Sequence, residues 1–112
     1  MSKTRIAVLC SGGGTNLQAV IDAVKAGKIN GEIVLVLANA SKAYALERAR
    51  QNGIEAVFVS KKKAGSTEIY NDQVLAHLQR VNADLVVLAG YLPIVGEQIV
   101  RAFEHRIINK HN

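Results

Sequence analysis

Two stretches of this chain carry residue types suited to chemistry. The first is Ser11-Gly12-Gly13-Gly14-Thr15-Asn16, three glycines followed by two hydrogen-bonding side chains. Glycine has no Cβ to hold a ligand away from the backbone. A helix that begins directly after such a loop adds unpaired N–H groups and the positive end of its dipole. With the Thr15 hydroxyl and the Asn16 amide, these groups make a cradle for one phosphate; the plainer alternative is a tight turn. The second stretch is Asn109-Lys110-His111. On a strand, residues two apart point the same way, so Asn109 and His111 project together. An amide donor beside an imidazole suits carbonyl chemistry, one group polarising the oxygen while the other moves protons. The plainer alternative here is a polar chain end.

The loop is not a dinucleotide fingerprint. A G-x-G-x-x-G pattern starting at Gly12 needs glycine where Leu17 stands, and the second strand runs into Asn39 rather than an acidic ribose ligand. No G-x-x-x-x-G-K occurs either, which excludes a Walker loop. Cys10, just before the loop, lies near a helix N-terminus that would lower its pKa. The sequence marks no base for it, so it is read as a core residue. His77 and His105 are read as surface residues, His105 favouring the end of a helix by its charge.

The elements that must position these groups follow from hydrophobic spacing. Arg5–Cys10 reads as a short buried strand. Leu17, Val20, Ile21 and Val24 mark one face of a helix over Asn16–Ala26, with Gly27 and Gly31 at its exit. Glu32–Ala38 is apolar without alternation, as in a strand covered on both faces. Ser41 is the expected cap of a second helix that runs to Gln51 and stops at Gly53. Glu55–Val59 reads as a third strand, and Lys61-Lys62-Lys63 as a solvated turn. Ser66 caps the next helix, whose inward face is Tyr70, Val74, Leu78 and Val81. Leu85–Ala89 is a fourth strand and Gly90–Pro93 a turn. Gly96–Glu104 is a helix with Ile99, Val100 and Phe103 inward, and Arg106–Asn109 starts a fifth strand. Alternating strands and helices predict an α/β fold: a Rossmann-like open parallel sheet with helices on both faces. Residues 1–112 show no linker and no repeat, so one domain is expected.

Composition excludes several classes. Of 112 residues, 49% are hydrophobic and 21% charged, which is too apolar for a disordered tail. One proline among nine glycines excludes a collagen-like chain. The single cysteine can form neither an internal disulfide nor a multi-thiolate zinc site, so a reducing, cytoplasmic setting is expected. The longest wholly apolar run, Ile33–Ala38, is far short of the roughly 20 residues that cross a bilayer. The apolar stretch Ile6–Cys10 is likewise too short for a signal peptide. The net charge of +5 favours an anionic partner. Scattered positive residues without interleaved aromatics argue against nucleic acid.

The opening Ile6–Asn16 (IAVLCSGGGTN), followed by Leu17-Gln18, resembles the phosphoribosylglycinamide formyltransferase family of purine biosynthesis. Leu46-Glu47-Arg48-Ala49 with Gly53-Ile54 carries the same resemblance, as does Ala83–Tyr91 (ADLVVLAGY). Ile108-Asn109-Lys110-His111 falls where that family has Asn-x-His-Pro. The likeness runs through all 112 residues and answers to the N-terminal half of a family member, a truncated formyltransferase fold. It implies transfer of a formyl group from 10-formyltetrahydrofolate, as co-substrate, to the amine of glycinamide ribonucleotide, without a metal.

By the resemblance, Gly14, Thr15 and Asn16 bind the ribonucleotide, joined by Gly12 and Gly13 of the same loop. Thr67, Leu92, Pro93, Ile94, Val95 and Asn109 fall at the folate site. Asn109 would also hold the formyl oxygen, and His111 would transfer the proton. Thr67 and Pro93 stand where relatives often carry arginine, Lys110 takes a normally apolar position, and Asn112 replaces the motif's proline. The family's catalytic aspartate falls beyond residue 112, so these residues alone are expected to be incomplete for catalysis. Methionyl-tRNA formyltransferase and formyltetrahydrofolate hydrolase share Asn-x-His, although the triple-glycine loop favours the glycinamide enzyme. A non-catalytic phosphate-binding module is the alternative from another class.

Overall fold

The computed structural model describes residues 3–110. Five parallel strands form one sheet in the order β3-β2-β1-β4-β5. In chain order they are β1 (Thr4–Cys10), β2 (Gly31–Ala38), β3 (Ala56–Phe58), β4 (Leu85–Ala89) and β5 (Ile107–Lys110). The helices are α1 (Thr15–Lys25), α2 (Tyr44–Gln51), α3 (Lys61–Ala64), α4 (Thr67–Arg80) and α5 (Glu97–Ala102). The expected α/β sheet with helices on both faces is the fold observed.

Alternation along β1 builds both cores. Ile6, Val8 and Cys10 pack with Leu17, Val20 and Ile21 of α1 and with Ala45 and Ala49 of α2. Ala7 and Leu9 face the other way, onto Tyr70, Val74 and Leu78 of α4 and Ile99 of α5. In β2, Ile33 and Val36 share one face although they stand three positions apart. The pairing explains this: Ile6 opposes Ile33 while Ala7 opposes Leu35, so the register shifts there. One extra residue in β2 resets its alternation.

The chain starts at the centre of the sheet, moves outward to β3, then crosses back to place β4 on the other side of β1. The direction of progress reverses between β1 and β4. In open α/β sheets, ligands bind at such a reversal, beyond the carboxyl ends of the strands. The loops that leave β1 and β4 therefore flank the crevice.

Several local expectations need correction. Ser41 does not cap α2; the N-cap is Ala43, with no capping side chain. Ala43, Ala45 and Leu46 are all buried, so packing against the sheet sets the start of this helix. The three lysines are not a bare turn but the one-turn helix α3, whose Lys63 N–H bonds to Ser60 Oγ at 3.1 Å. Val100 is 46% exposed, because a six-residue helix turns only Ile99 inward. Gly31 is the first residue of β2, where a Cβ would lie 2.7 Å from Ile6 Cδ1. Ser66 does cap α4, bonding the Ile69 N–H at 3.1 Å. Among the described residues, no helix is long and apolar enough to cross a membrane.

Candidate functional site

The glycine loop emerges from β1 and turns directly into α1. Its three glycines have different reasons to be glycine. A Cβ on Gly12 or Gly13 would meet nothing within 4 Å, so both leave open space above the backbone. Gly14 is buried, has φ of 82°, and presses on α2: its Cβ would stand 2.9 Å from the Ala45 Cα. It serves as the N-cap of α1 without a capping side chain. Thr15 is exposed and Asn16 half-buried at the first turn, and no acidic residue occupies that turn.

The loop after β4 lies alongside and is fastened at three points. The Leu92 N–H donates to Ser11 Oγ at 2.8 Å, across 81 residues of sequence. The hydroxyls of Tyr91 and Tyr70 hydrogen-bond, and burial raises the pKa of both phenols. The Gly96 N–H donates to Asn71 Oδ1 at 3.0 Å, while Asn71 Nδ2 donates to the Thr67 carbonyl at 2.9 Å. Asn71 is only 2% exposed. Between these anchors, Leu92 and Ile94 stand 85% and 90% exposed. Two large apolar side chains held out on an anchored backbone mark this loop as a contact surface. Pro93, Ile94 and Thr67 share a recess of about 290 Å³ with Lys61, Tyr70 and Asn71.

Asn109 is exposed on β5, opposite Leu88 of β4. Ile108 and Lys110 line a groove on the α1 side of the sheet, so strand alternation turns Asn109 to the side of Tyr91 and Val95. Asn16 Nδ2 reaches the Lys110 carbonyl at 3.5 Å, the outer limit of a hydrogen bond. The ends of β1, β4 and β5 thus come together. His111 lies outside the described residues.

Cys10 is fully buried, and burial pushes its thiol pKa up to about 12, as befits a core residue. His105 is exposed, whereas His77 is half-buried beside Arg80, and burial lowers its pKa. Among the described residues, no group of three or more His, Cys, Asp or Glu side chains is placed to hold a metal.

Local sequence does not mark Ser11, Tyr70, Asn71 and Arg48 as the residues that hold these loops. Tyr70 is a core residue whose hydroxyl also anchors the second loop. Asn71 had one available signal, a polar residue next to the buried stripe of α4. Arg48 bonds to the Gly13 carbonyl at 2.8 Å. No local pattern signals that contact.

Comparison with known proteins agrees with this geometry. The formyl transferase family profile matches residues 4–112. The chain is 43% identical over 108 residues to phosphoribosylglycinamide formyltransferase of Haemophilus influenzae, covering 96% of this chain and 50% of that protein. It is 40% identical over 111 residues to the trifunctional purine biosynthetic protein adenosine-3 of Drosophila pseudoobscura, covering 97% of this chain and 8% of that one. The crystal structure of glycinamide ribonucleotide transformylase 1 from Symbiobacterium toebii superposes with a TM-score of 0.93 at 39% identity, over 96% of this chain and 50% of that one. The chain therefore spans half the length of the single-function relatives and a small part of the multifunctional one. With its sheet, its reversal point and its sequence all in agreement, this chain belongs to the formyl transferase family.

Proposed function

We propose that residues 1–112 form one N-terminal formyltransferase domain, and that it serves formyl transfer from 10-formyltetrahydrofolate to the amine of glycinamide ribonucleotide. The observation that carries this reading is the convergence of two loops and the end of β5 at one end of the sheet. Ser11 joins the first to the second, and Asn16 joins the first to the end of β5.

In this reading the ribonucleotide phosphate rests on Gly12, Gly13 and Gly14, where backbone N–H groups meet the start of α1, with Thr15 and Asn16 adding side-chain bonds. The folate lies along Leu92, Pro93, Ile94 and Val95, with Thr67 at the margin and Asn109 at the reacting end. The amine attacks the formyl carbon, and the carbonyl oxygen takes up negative charge as the tetrahedral intermediate forms. The Asn109 amide donates to that oxygen. His111 takes the proton from the attacking amine and returns one to the departing folate nitrogen. Holding both reactants on one fixed surface removes the entropy cost of their encounter.

Calorimetric titration of the 112-residue protein with glycinamide ribonucleotide, and separately with 10-formyltetrahydrofolate, tests the proposal. Saturable binding of both supports it. Binding of the ribonucleotide alone supports the non-catalytic module, and binding of neither overturns both readings.

A further inference from the structure

The Leu46-Glu47-Arg48-Ala49 stretch of α2 has no part in the function proposed above, yet two of the glycine loop's carbonyls are held by this helix. The Ala45 N–H donates to the Gly12 carbonyl at 3.2 Å. The Arg48 Nε–H donates to the Gly13 carbonyl at 2.8 Å. In a trans peptide the carbonyl and the following N–H point in opposite directions. Fixing these two carbonyls toward α2 therefore turns the N–H groups of Gly13 and Gly14 away from it. Neither N–H makes a hydrogen bond among the described residues.

The charge of Arg48 adds to this geometry. Its guanidinium bonds to Gln18 Oε1 at 3.2 Å and lies 5.0 Å from the centre of the Tyr44 ring, both neutral groups. Among the described residues it has no carboxylate partner, whereas Arg50 on the same helix pairs with Glu47 at 3.7 Å. Half-buried between α1 and the loop, Arg48 thus keeps an uncompensated positive charge behind the glycines.

We propose that Arg48 is the positioning residue of a phosphomonoester site on the glycine loop, aiming the Gly13 and Gly14 N–H groups at the anion and adding long-range attraction. The proposal rests on the reading that this loop takes the ribonucleotide phosphate. Arginine suits the task because its planar fork bonds the loop, α1 and the ring in one fixed arrangement.

The test is calorimetry with glycinamide ribonucleotide over a series of sodium chloride concentrations, on wild type, Arg48→Met, Arg48→Lys and the control Arg50→Met. Losing a hydrogen bond from a charged donor weakens binding roughly 10- to 100-fold, the loss expected for Arg48→Met. Because a charge near the ligand is gone, its affinity should also fall less steeply with added salt than that of the wild type. Arg48→Lys restores the salt dependence but only part of the affinity, and Arg50→Met binds as wild type does. Circular dichroism checks that each variant folds, and Arg48→Lys carries the test if Arg48→Met does not. Wild-type affinity in Arg48→Met overturns the proposal alone, as does a wild-type salt dependence in a weakened Arg48→Met. If Arg48→Met is unfolded, wild-type affinity in Arg48→Lys overturns it. Absence of ribonucleotide binding by the wild type overturns the phosphate site itself, and this inference with it.

Discussion

At the residue scale, the glycine loop separates two roles that one letter in the sequence conceals. Gly13 keeps the surface open, while Gly14 answers to its φ of 82° and to the backbone of α2. Gly14→Ala is therefore expected to destabilise the fold by about 2 kcal/mol or more, from left-handed strain and collision with Ala45. Gly13→Ala, which meets no atom within 4 Å, should leave stability within about 0.5 kcal/mol of wild type and act only on ligand binding. Urea denaturation of both variants, with ribonucleotide titrations, checks the split; equal destabilisation would contradict it. For Asn109→Ala in a full-length protein that carries this domain, formyl-transfer assays are expected to show turnover about 100- to 1,000-fold lower, the usual cost of an oxyanion donor. Ribonucleotide affinity should hardly change, because Asn109 faces the second loop. A wild-type rate would remove Asn109 from the chemistry. Cys10, fully buried with its pKa near 12, should resist iodoacetamide at pH 8 in the folded protein and react once urea exposes it.

At the element scale, the segment from Gly90 to Gly96 owes its shape to its neighbours. It has no secondary structure of its own and is secured by Ser11, Tyr70 and Asn71. Asn71 satisfies donors and acceptors on two segments while buried, so Asn71→Ala leaves the Gly96 N–H without its partner. A loss of about 1–3 kcal/mol in unfolding free energy is expected. Ser11→Ala removes only the bond to Leu92. Its expected effect is faster hydrogen exchange at the Leu92 amide, with the rest of the sheet unchanged, read by nuclear magnetic resonance. An unchanged Leu92 exchange rate would show that Ser11 does not hold the loop.

For the whole molecule, the pH dependence of stability has a definite sign. Glu55 has a pKa below its ordinary 4.5, chiefly because Arg80 donates a hydrogen bond to its carboxylate. His77 lies below its ordinary 6.5, chiefly because burial disfavours the imidazolium. Both groups bind protons more tightly in the unfolded chain, so stability falls as the pH drops. His77 contributes to the fall from about pH 6.5 downward, and Glu55 from about pH 4.5 downward. Thermal melts between pH 8 and 4 should show a midpoint that is level at first and falls from about pH 6.5 downward. In His77→Gln the upper part of that decrease should flatten; an unaltered slope above pH 5 would remove His77 from the account.

How much of this was legible without coordinates depends on how far apart the partners lie. Strands, helices and both cores follow from local spacing, because apolar residues recur with period 2 or 3.6 wherever one face is buried. The glycine loop and Asn109 were legible for the same reason: loop composition and strand alternation are local properties. Boundaries set by distant packing were not, so Ala43 rather than Ser41 begins α2. The contacts that give the site its shape span 81 residues from Ser11 to Leu92, 35 from Gly13 to Arg48 and 25 from Asn71 to Gly96. They arise because right-handed crossovers set the loops after β1 and β4 side by side and pack α2 and α4 against them. Sequence alone determined which groups were available for chemistry. Only the tertiary structure decided which side chains hold them in place, because that depends on where separate loops meet after the sheet has formed.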